Sequence, residues 1–207
     1  AVSDKDKNDS DFTGFLVQTD YQAKQTGFIQ PYADSPMDHE QVGEEVYISM
    51  VNKAEKYCWF MTPYLIITDE MSHALCLAAK RGVDVRIITP GIPDKKMIYN
   101  ITRSFYHGLV KHGVRIYEWT PGFCHAKMSV ADDCMATCGT INLDYRSLYH
   151  HFENGCFMAD CQAVLDIRND LAATMDECRE VTEQYSTGRS AYLRLGQLFM
   201  RLFAGLL

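Results

Sequence analysis

The sequence lacks an uninterrupted run of 18 apolar residues, although 47% of its 207 residues are hydrophobic. A helix that crosses a bilayer needs roughly 20 such residues in succession, so we expect no membrane span within this chain. The first residues, AVSDKDKNDSD, are polar and acidic, unlike the basic and then apolar start of a secretory signal peptide. The chain also begins without a methionine, and we interpret it as part of a longer protein.

An excess of basic charge is also missing. Residues 1–45 carry 10 acidic and 3 basic side chains, whereas residues 46–207 carry 17 of each. The formal net charge of −7 therefore arises in the first 45 residues. Domains that bind nucleic acid generally carry a strong basic field, so we expect no nucleic-acid partner.

The eight cysteines lack the two closely spaced pairs of a zinc finger. Cys134 and Cys138 fall in one predicted strand, and no second pair follows at finger spacing. A disulfide framework is typical of much shorter secreted chains. We therefore expect reduced thiols that pack within the fold, with Cys124 notable because it adjoins His125.

Strand and helix patterns alternate after the first 26 residues, which we interpret as an acidic linker. We predict strands at 27–32, 57–62, 83–89, 114–119, 134–138 and 155–159. We predict helices at 40–56, 68–82, 94–112 and 161–185. Thr68 and Asp94 are the expected N-caps of two of these helices. Consecutive strand–helix–strand units indicate an α/β domain over residues 27–188 with a mixed, largely parallel sheet.

The segment 125–142, HAKMSVADDCMATCGTIN, concentrates side chains capable of chemistry. An extended segment would place His125 and Lys127 on one face of the sheet, and Asp132 would start a turn into a return strand. Thr140 and Asn142 follow that strand. The lysine supplies positive charge, the threonine and asparagine supply neutral donors, and the imidazole can attack or move a proton near neutral pH. We predict a pocket for a tetrahedral anion.

This spacing resembles the signature of the phospholipase D superfamily, H-x-K-x4-D-x6-G-[ST]-x-N. The six specified positions are His125, Lys127, Asp132, Gly139, Thr140 and Asn142. The flanking segments YEWTPGF and NLDYRSLYHHFE are similar to those of bacterial cardiolipin synthases of that superfamily. The resemblance extends from about residue 27 to the C-terminus and concerns the second half of those enzymes, which carry two copies of the signature. One copy occurs in this sequence.

The resemblance implies a phospholipase D-like α/β/α sandwich that supplies one of two half-sites. In that superfamily one signature histidine forms a phosphohistidine, the other protonates the leaving alcohol, and a second alcohol then attacks. The implied catalytic residues are His125, Lys127, Asp132 and Glu153, with Lys127, Thr140 and Asn142 binding phosphate. Glu153 is expected to orient the histidine, and Asp132 to brace the turn more than to contact substrate. Neither a cofactor nor a metal is implied.

Two further regions suggest contact with lipid. Lys95, Lys96 and Arg103 are candidates for binding head groups, with a solvated helix face as the alternative. Residues 189–207 carry three arginines and apolar residues at helical spacing, which predicts a basic amphipathic helix. Such a helix can lie on an anionic membrane surface, or pack on this domain or on the other half. We expect the whole protein at the bacterial cell membrane and this chain soluble or peripheral.

Three functions remain open at this point. The resemblance implies phosphatidyl transfer from one phosphatidylglycerol to another, giving cardiolipin and glycerol, with an upstream half completing the site. The same residues would serve a phospholipase D or nuclease that acts as a homodimer and uses water. A non-catalytic half that binds anionic phospholipid is the third. The neutral balance of residues 46–207 argues against a nuclease, which would require a basic groove.

Overall fold

The computed structural model describes residues 26–38 and 40–186, with the single positions 14, 20, 22 and 24. The predicted C-terminal helix at 189–207 and most of the predicted linker lie outside the described residues. The strands are β1 (Phe28–Asp34), β2 (Tyr57–Met61), β3 (Leu65–Ile66), β4 (Asp84–Pro90), β5 (Arg115–Trp119), β6 (Met128–Ala131), β7 (Met135–Gly139), β8 (Leu143–Asp144), β9 (Glu153–Ala159) and β10 (Arg179–Glu180). The helices are α1 (Val42–Lys53), α2 (Asp69–Lys80), α3 (Lys96–Val110), α4 (Tyr145–Tyr149), α5 (Gln162–Glu177) and α6 (Thr182–Ser186).

Eight strands form one sheet in the order β1-β9-β7-β6-β2-β4-β5-β10, and β3 pairs with β8 separately. Strands β2, β4 and β5 pair in parallel. The other neighbours in the large sheet pair antiparallel. As a result β1, β7, β2, β4 and β5 all point the same way. The α/β class and the mixed sheet predicted from the sequence are confirmed.

Helices cover both faces of the large sheet. On one face, Met50 of α1, Leu75 of α2 and Leu109 of α3 belong to a buried core that includes Phe60 and Ile87 of the sheet. On the other face, α5 buries a stripe against the sheet. That stripe consists of Val164, Leu171 and Met175. The predicted α/β/α layering is therefore present.

The ends of the helices follow local chemistry in one case and tertiary contacts in another. Thr68 caps α2 as predicted, because its hydroxyl accepts the backbone N–H of Met71 at 3.0 Å. Asp94 does not cap α3, so that prediction is wrong. Its carboxylate accepts the Tyr64 hydroxyl at 2.6 Å and the N–H of Lys95 at 2.6 Å, and the helix begins two residues later.

The single helix predicted at 161–185 is wrong in length. Helix α5 ends at Glu177, and Arg179 and Glu180 then pair with the edge of β5 as β10. The Arg115 guanidinium forms an ion pair with the Glu180 carboxylate at 2.8 Å, and this contact holds β10 against β5. The apolar residues of 161–185 have helical spacing throughout, which is why one helix was predicted. Pairing with the exposed edge of β5 is the tertiary contact that ends the helix instead.

Candidate active site

The predicted anion-binding residues meet at one end of three interior strands of the large sheet. Strand β7 ends there, β6 and β9 begin there, and β7 lies between the other two. A cleft of about 540 Å³ opens at these strand ends. It is lined by His125, Lys127, Thr140, Asn142, His151 and Glu153, among others. Every sequence-predicted site residue except Asp132 therefore lies around one cleft.

His125 and Lys127 are in contact, although they precede a strand instead of sharing one. Strand β6 begins at Met128, so the prediction of a common strand face is wrong. The Lys127 Nζ atom lies 2.8 Å from Nδ1 of His125, 3.2 Å from Nε2, and donates to the His125 carbonyl oxygen at 2.7 Å. The imidazole ring centre lies 6.2 Å from that of Tyr64 and 6.0 Å from that of Phe123. Both contacts restrict the ring.

This arrangement favours a neutral imidazole. Burial lowers the pKa of His125, and the charge of Lys127 lowers it further, while Asp94 opposes the change. Burial also lowers the pKa of Lys127, against the opposing carboxylates of Glu153 and Asp144. A neutral imidazole near pH 7 has a lone pair available for attack on an electrophile.

A chain of polar contacts forms the opposite wall of the cleft. The Thr140 hydroxyl donates to the Glu153 carboxylate and accepts the N–H of Asn154 at 3.0 Å. The other Glu153 oxygen lies 3.8 Å from Nδ1 of His151. Arg146 donates to Nε2 of His151 at 2.9 Å. The Glu153 side chain is thus in contact with Thr140 and His151, and its expected role of orienting His125 stays a prediction.

His151 is the residue that sequence reasoning missed. It follows the signature closely, but its neighbour His150 is also a histidine, and adjacent side chains diverge. The signal available was its position two residues before Glu153, at the entrance to β9. Strand β9 starts at residue 153 instead of the predicted 155, which brings His151 and Glu153 to the strand ends where the cleft lies.

Asn142 carries an unsatisfied buried group. Its Nδ2 donates to the Ser147 hydroxyl at 2.9 Å, while Oδ1 is buried and has no hydrogen-bond partner within the described part of the chain. A buried polar atom without a partner is unfavourable. An amide rotated by 180° would accept from Ser147 and leave Nδ2 as the buried atom without a partner.

Asp132 lies away from the site, which corrects its grouping with the catalytic residues. Lys127 and Asp132 flank the four residues of β6 at opposite ends, about 16 Å apart along the strand. The Asp132 carboxylate accepts the backbone N–H groups of Glu55 at 2.7 Å, Lys56 at 2.9 Å and Tyr57 at 2.8 Å. Its φ of 53° is in the left-handed region. Asp132 therefore braces the turn after β6.

The three basic residues proposed for head groups separate into two kinds. Arg103 donates through Nε and Nη2 to the buried Glu118 at 2.8 and 2.6 Å, so its side chain has a structural partner within the domain. Lys95 lines a second cleft of about 290 Å³. His151 and Asn142 border both clefts, so Lys95 lies beside the candidate active site. Lys96 is exposed.

Within residues 26–38 and 40–186, no group of three or more His, Cys, Asp or Glu side chains is placed to hold a metal ion. In the part of the chain that the structure describes, none of the helices combines the length and the apolar composition of a membrane span.

Comparison with known proteins adds a family to this geometry. A family model described as "Cardiolipin synthase, PLD-like domain" matches residues 47–175. A protein of Streptococcus mutans described as uncharacterized is 48% identical over 199 residues, which are 96% of this chain and 43% of that protein. A cardiolipin synthase of Halalkalibacterium halodurans is 32% identical over 184 residues, covering 89% of this chain and 37% of that enzyme. The chain thus spans about two fifths of the length of these relatives.

The fold is also similar to that of a solved enzyme. The crystal structure of phosphatidylserine synthase from Haemophilus influenzae matches with a TM-score of 0.67 at 16% sequence identity. The match covers 86% of this chain and 47% of that one. At this identity the likeness establishes the fold alone.

Proposed function

Because this chain belongs to the family of cardiolipin synthase, phospholipase D-like domains, we propose that it supplies one of two half-sites for phosphatidyl transfer. The reaction joins two phosphatidylglycerol molecules and gives cardiolipin and glycerol. The observation that carries the proposal is the contact between His125 and Lys127, with Nδ1 and Nζ 2.8 Å apart, inside a cleft that Thr140 and Asn142 also line. A nucleophile, a cation and two neutral donors are what a phosphodiester requires.

In the first step, a nitrogen of neutral His125 attacks the phosphorus of one phosphatidylglycerol. The bond from phosphorus to the oxygen of the head-group glycerol breaks as the new P–N bond forms. A histidine of the second half-site protonates that oxygen, and glycerol leaves. In the second step, the hydroxyl of another phosphatidylglycerol attacks phosphorus and gives its proton to the histidine of the second half-site, and the P–N bond breaks to release cardiolipin. The lowered pKa of His125 supports its role as the nucleophile instead of the acid.

The remaining cleft residues bind the phosphoryl oxygens. Lys127 supplies positive charge against the charge that grows on phosphorus oxygens in the transition state. Thr140 supplies a hydroxyl and Asn142 supplies an amide, and both residues line the cleft. In the substrate-free protein the Thr140 hydroxyl donates to the Glu153 carboxylate, so it must turn this hydrogen bond toward a phosphoryl oxygen when substrate binds.

The second half-site comes from an upstream half or from a second copy of this chain. One signature is present here, and the relatives are more than twice as long. The direct test incubates labelled phosphatidylglycerol with the chain alone and with a partner half that carries another H-x-K-x4-D copy. Cardiolipin formed only with the partner supports the proposal. Phosphatidic acid instead of cardiolipin would assign hydrolysis, and lipid binding without product would assign a non-catalytic half.

We also propose that residues 189–207 hold the chain at the anionic surface of the cell membrane. The segment carries Arg189, Arg194 and Arg201 and no acidic residue. Flotation with vesicles containing phosphatidylglycerol tests this, with the chain truncated after residue 188 as the comparison. Replacing the three arginines by glutamine separates charge from apolar burial. Equal flotation of the truncated and full chains would contradict the proposal.

A further inference from the structure

A row of sulfur-containing side chains crosses the sheet next to the candidate active site. Met61 pairs with Met128, Met128 with Cys138, and Cys138 with Cys156. Directly opposed residues of antiparallel neighbours place their side chains on the same face of a sheet. Two thiols therefore stand side by side on adjacent strands, β7 and β9.

The backbone hydrogen bonds fix the spacing of this pair. The N–H of Thr140 donates to the carbonyl of Asn154 at 2.9 Å, and that of Asp160 donates to the carbonyl of Cys134 at 2.9 Å. Hydrogen-bonded pairs recur every second residue along an antiparallel ladder, so Cys138 and Cys156 form one of them. Their Cα atoms are then about 5.5 Å apart. Disulfides span Cα separations of roughly 4.4–6.8 Å, so the two strands already hold the thiols within range.

Access distinguishes Cys138, which alone among the eight cysteines, all of them described, is exposed. Cys138 is exposed and lines the cleft that holds His125 and Lys127, and Cys156 is half-buried beside it. Cys58 is buried and faces Ala131 across the sheet, and Cys134 lies opposite Asp160. Within the described residues, Cys138 and Cys156 are the cysteines that the strand register sets directly opposite each other.

We propose that Cys138 and Cys156 are a reversible disulfide site on the wall of the cleft, closed by a small disulfide of the glutathione type. The Cys138 thiolate attacks one sulfur of the small disulfide, whose other sulfur leaves as a thiolate. The Cys156 thiolate then attacks Cys138 Sγ and displaces the second small thiol. Two electrons pass from the cysteine pair to the small disulfide, which ends as two thiols.

Closure of this pair reaches the candidate phosphate-binding residues. Opposed Cβ atoms lie about 4.5–5.5 Å apart in a sheet and about 3.8 Å apart in a disulfide, so closure draws the strands together by about 1 Å. The next pair along is Gly139 opposite Gly155, where a Cβ built on Gly139 would lie 2.4 Å from the Asn154 carbonyl. Because β7 and β9 are already in close contact at Gly139, they cannot approach further at that point. We therefore expect the displacement of β7 to reach the next residue, Thr140. This effect on activity rests on the proposed function, whereas the disulfide itself does not.

The test treats the full chain with oxidised glutathione and maps its peptides by mass spectrometry without reduction. We expect a peptide that joins Cys138 to Cys156, lost on addition of dithiothreitol. Cys134→Ser is the matched control, because Cys134 borders the same strand with no cysteine opposite, and it should retain the cross-link. Cys156→Ser should keep a glutathione adduct on Cys138. A wild-type chain carrying only that adduct, or joining Cys138 to a different cysteine, would overturn the proposal.

Activity is measured on the same samples, with the partner half present. Oxidation should lower phosphatidyl transfer by about tenfold to a hundredfold, since a 1 Å displacement of a binding group has effects of that size. Dithiothreitol should restore it. A cross-linked chain whose reduced form transfers no phosphatidyl group would remove the proposed function and leave the disulfide site standing. A cross-linked chain as active as the reduced one would remove the regulatory effect alone.

Discussion

The ammonium group of Lys127 lies 2.8 Å from Nδ1 of His125 and donates at 2.7 Å to the carbonyl oxygen of the same residue. The hydrogen bond to the carbonyl oxygen of His125 therefore fixes the ammonium group of Lys127 next to the imidazole of the same residue. Two cationic groups this close disfavour each other's protonation. The pair is consistent with a histidine that enters the reaction neutral.

The pKa of His125 provides the first prediction. Burial and the charge of Lys127 both lower it, so the imidazole should titrate below its ordinary value of about 6.5. In Lys127→Gln the charge disappears and burial remains, so the pKa should rise part of the way back. NMR titration of the labelled imidazole in the substrate-free protein measures this. Lys96→Gln, which removes an exposed lysine, should leave the titration unchanged; a pKa that stays fixed in Lys127→Gln would contradict the assignment.

Asp132 provides a prediction about stability. Its carboxylate accepts three backbone N–H groups at the end of the sheet away from the cleft. Because these bonds lie partly in solvent, Asp132→Ala should lower the free energy of unfolding by about 1–2 kcal/mol. Urea unfolding measures the loss. The kcat of the folded protein should change little; a large drop in kcat without loss of stability would return Asp132 to the catalytic residues.

The same residue predicts a pH dependence. Burial raises the pKa of Asp132, but the N–H groups of Glu55, Tyr57 and Lys56 outweigh it and lower the pKa below the ordinary value. A carboxylate with a lowered pKa in the folded state contributes stability above its unfolded pKa, about 3.9, and loses it as pH falls through the folded value. The stability difference between wild type and Asp132→Ala should therefore shrink below about pH 4. Asp132→Asn, which also tolerates a positive φ, should lie between the two.

Thr140 tests the wall of the cleft. Its hydroxyl donates to Glu153 and lines the cleft, and we propose that it binds a phosphoryl oxygen. Thr140→Val keeps the shape of the side chain but removes the hydroxyl. With the partner half present, kcat/KM for phosphatidyl transfer should fall by about tenfold to a hundredfold. Thr140→Ser keeps the hydroxyl and should remain within a few-fold of wild type. If Thr140→Val and Thr140→Ser were both as active as the wild type, the hydroxyl would not contact substrate.

Much of the fold followed from periodicity and local chemistry. The central strands, the Thr68 cap and the two-aspartate turn were all predicted, because apolar alternation, an N-cap hydroxyl and short acidic side chains act over a few residues. The segment after residue 177 was not predicted, because its structure depends on a sheet edge distant in sequence. The two-residue strands β3 and β8 were missed for the same reason: each is defined by its partner.

The site was predictable in membership and less so in geometry. A fixed motif spacing identified His125, Lys127, Thr140 and Asn142, and all four line the cleft. The motif also included Asp132, which a strand of four residues carries to the opposite end of the sheet. Spacing alone does not distinguish a residue that contacts substrate from one that holds the hairpin in register. His151 and the role of Arg103 depend on contacts between separate elements, which a single sequence does not reveal.

Lys95 and Arg103 give a paired prediction, since both were candidates for lipid head groups and the structure separates them. Arg103 contacts the fully buried Glu118, so Arg103→Gln should cost about 2 kcal/mol of unfolding free energy. Lys95 is exposed beside the cleft, so Lys95→Gln should leave stability unchanged and raise KM for phosphatidylglycerol by about threefold at low salt. That increase should vanish at high ionic strength, because an exposed charge is screened. Thermal unfolding and kinetics at two salt concentrations measure both effects, and an Arg103→Gln protein of normal stability but raised KM would reverse the two roles.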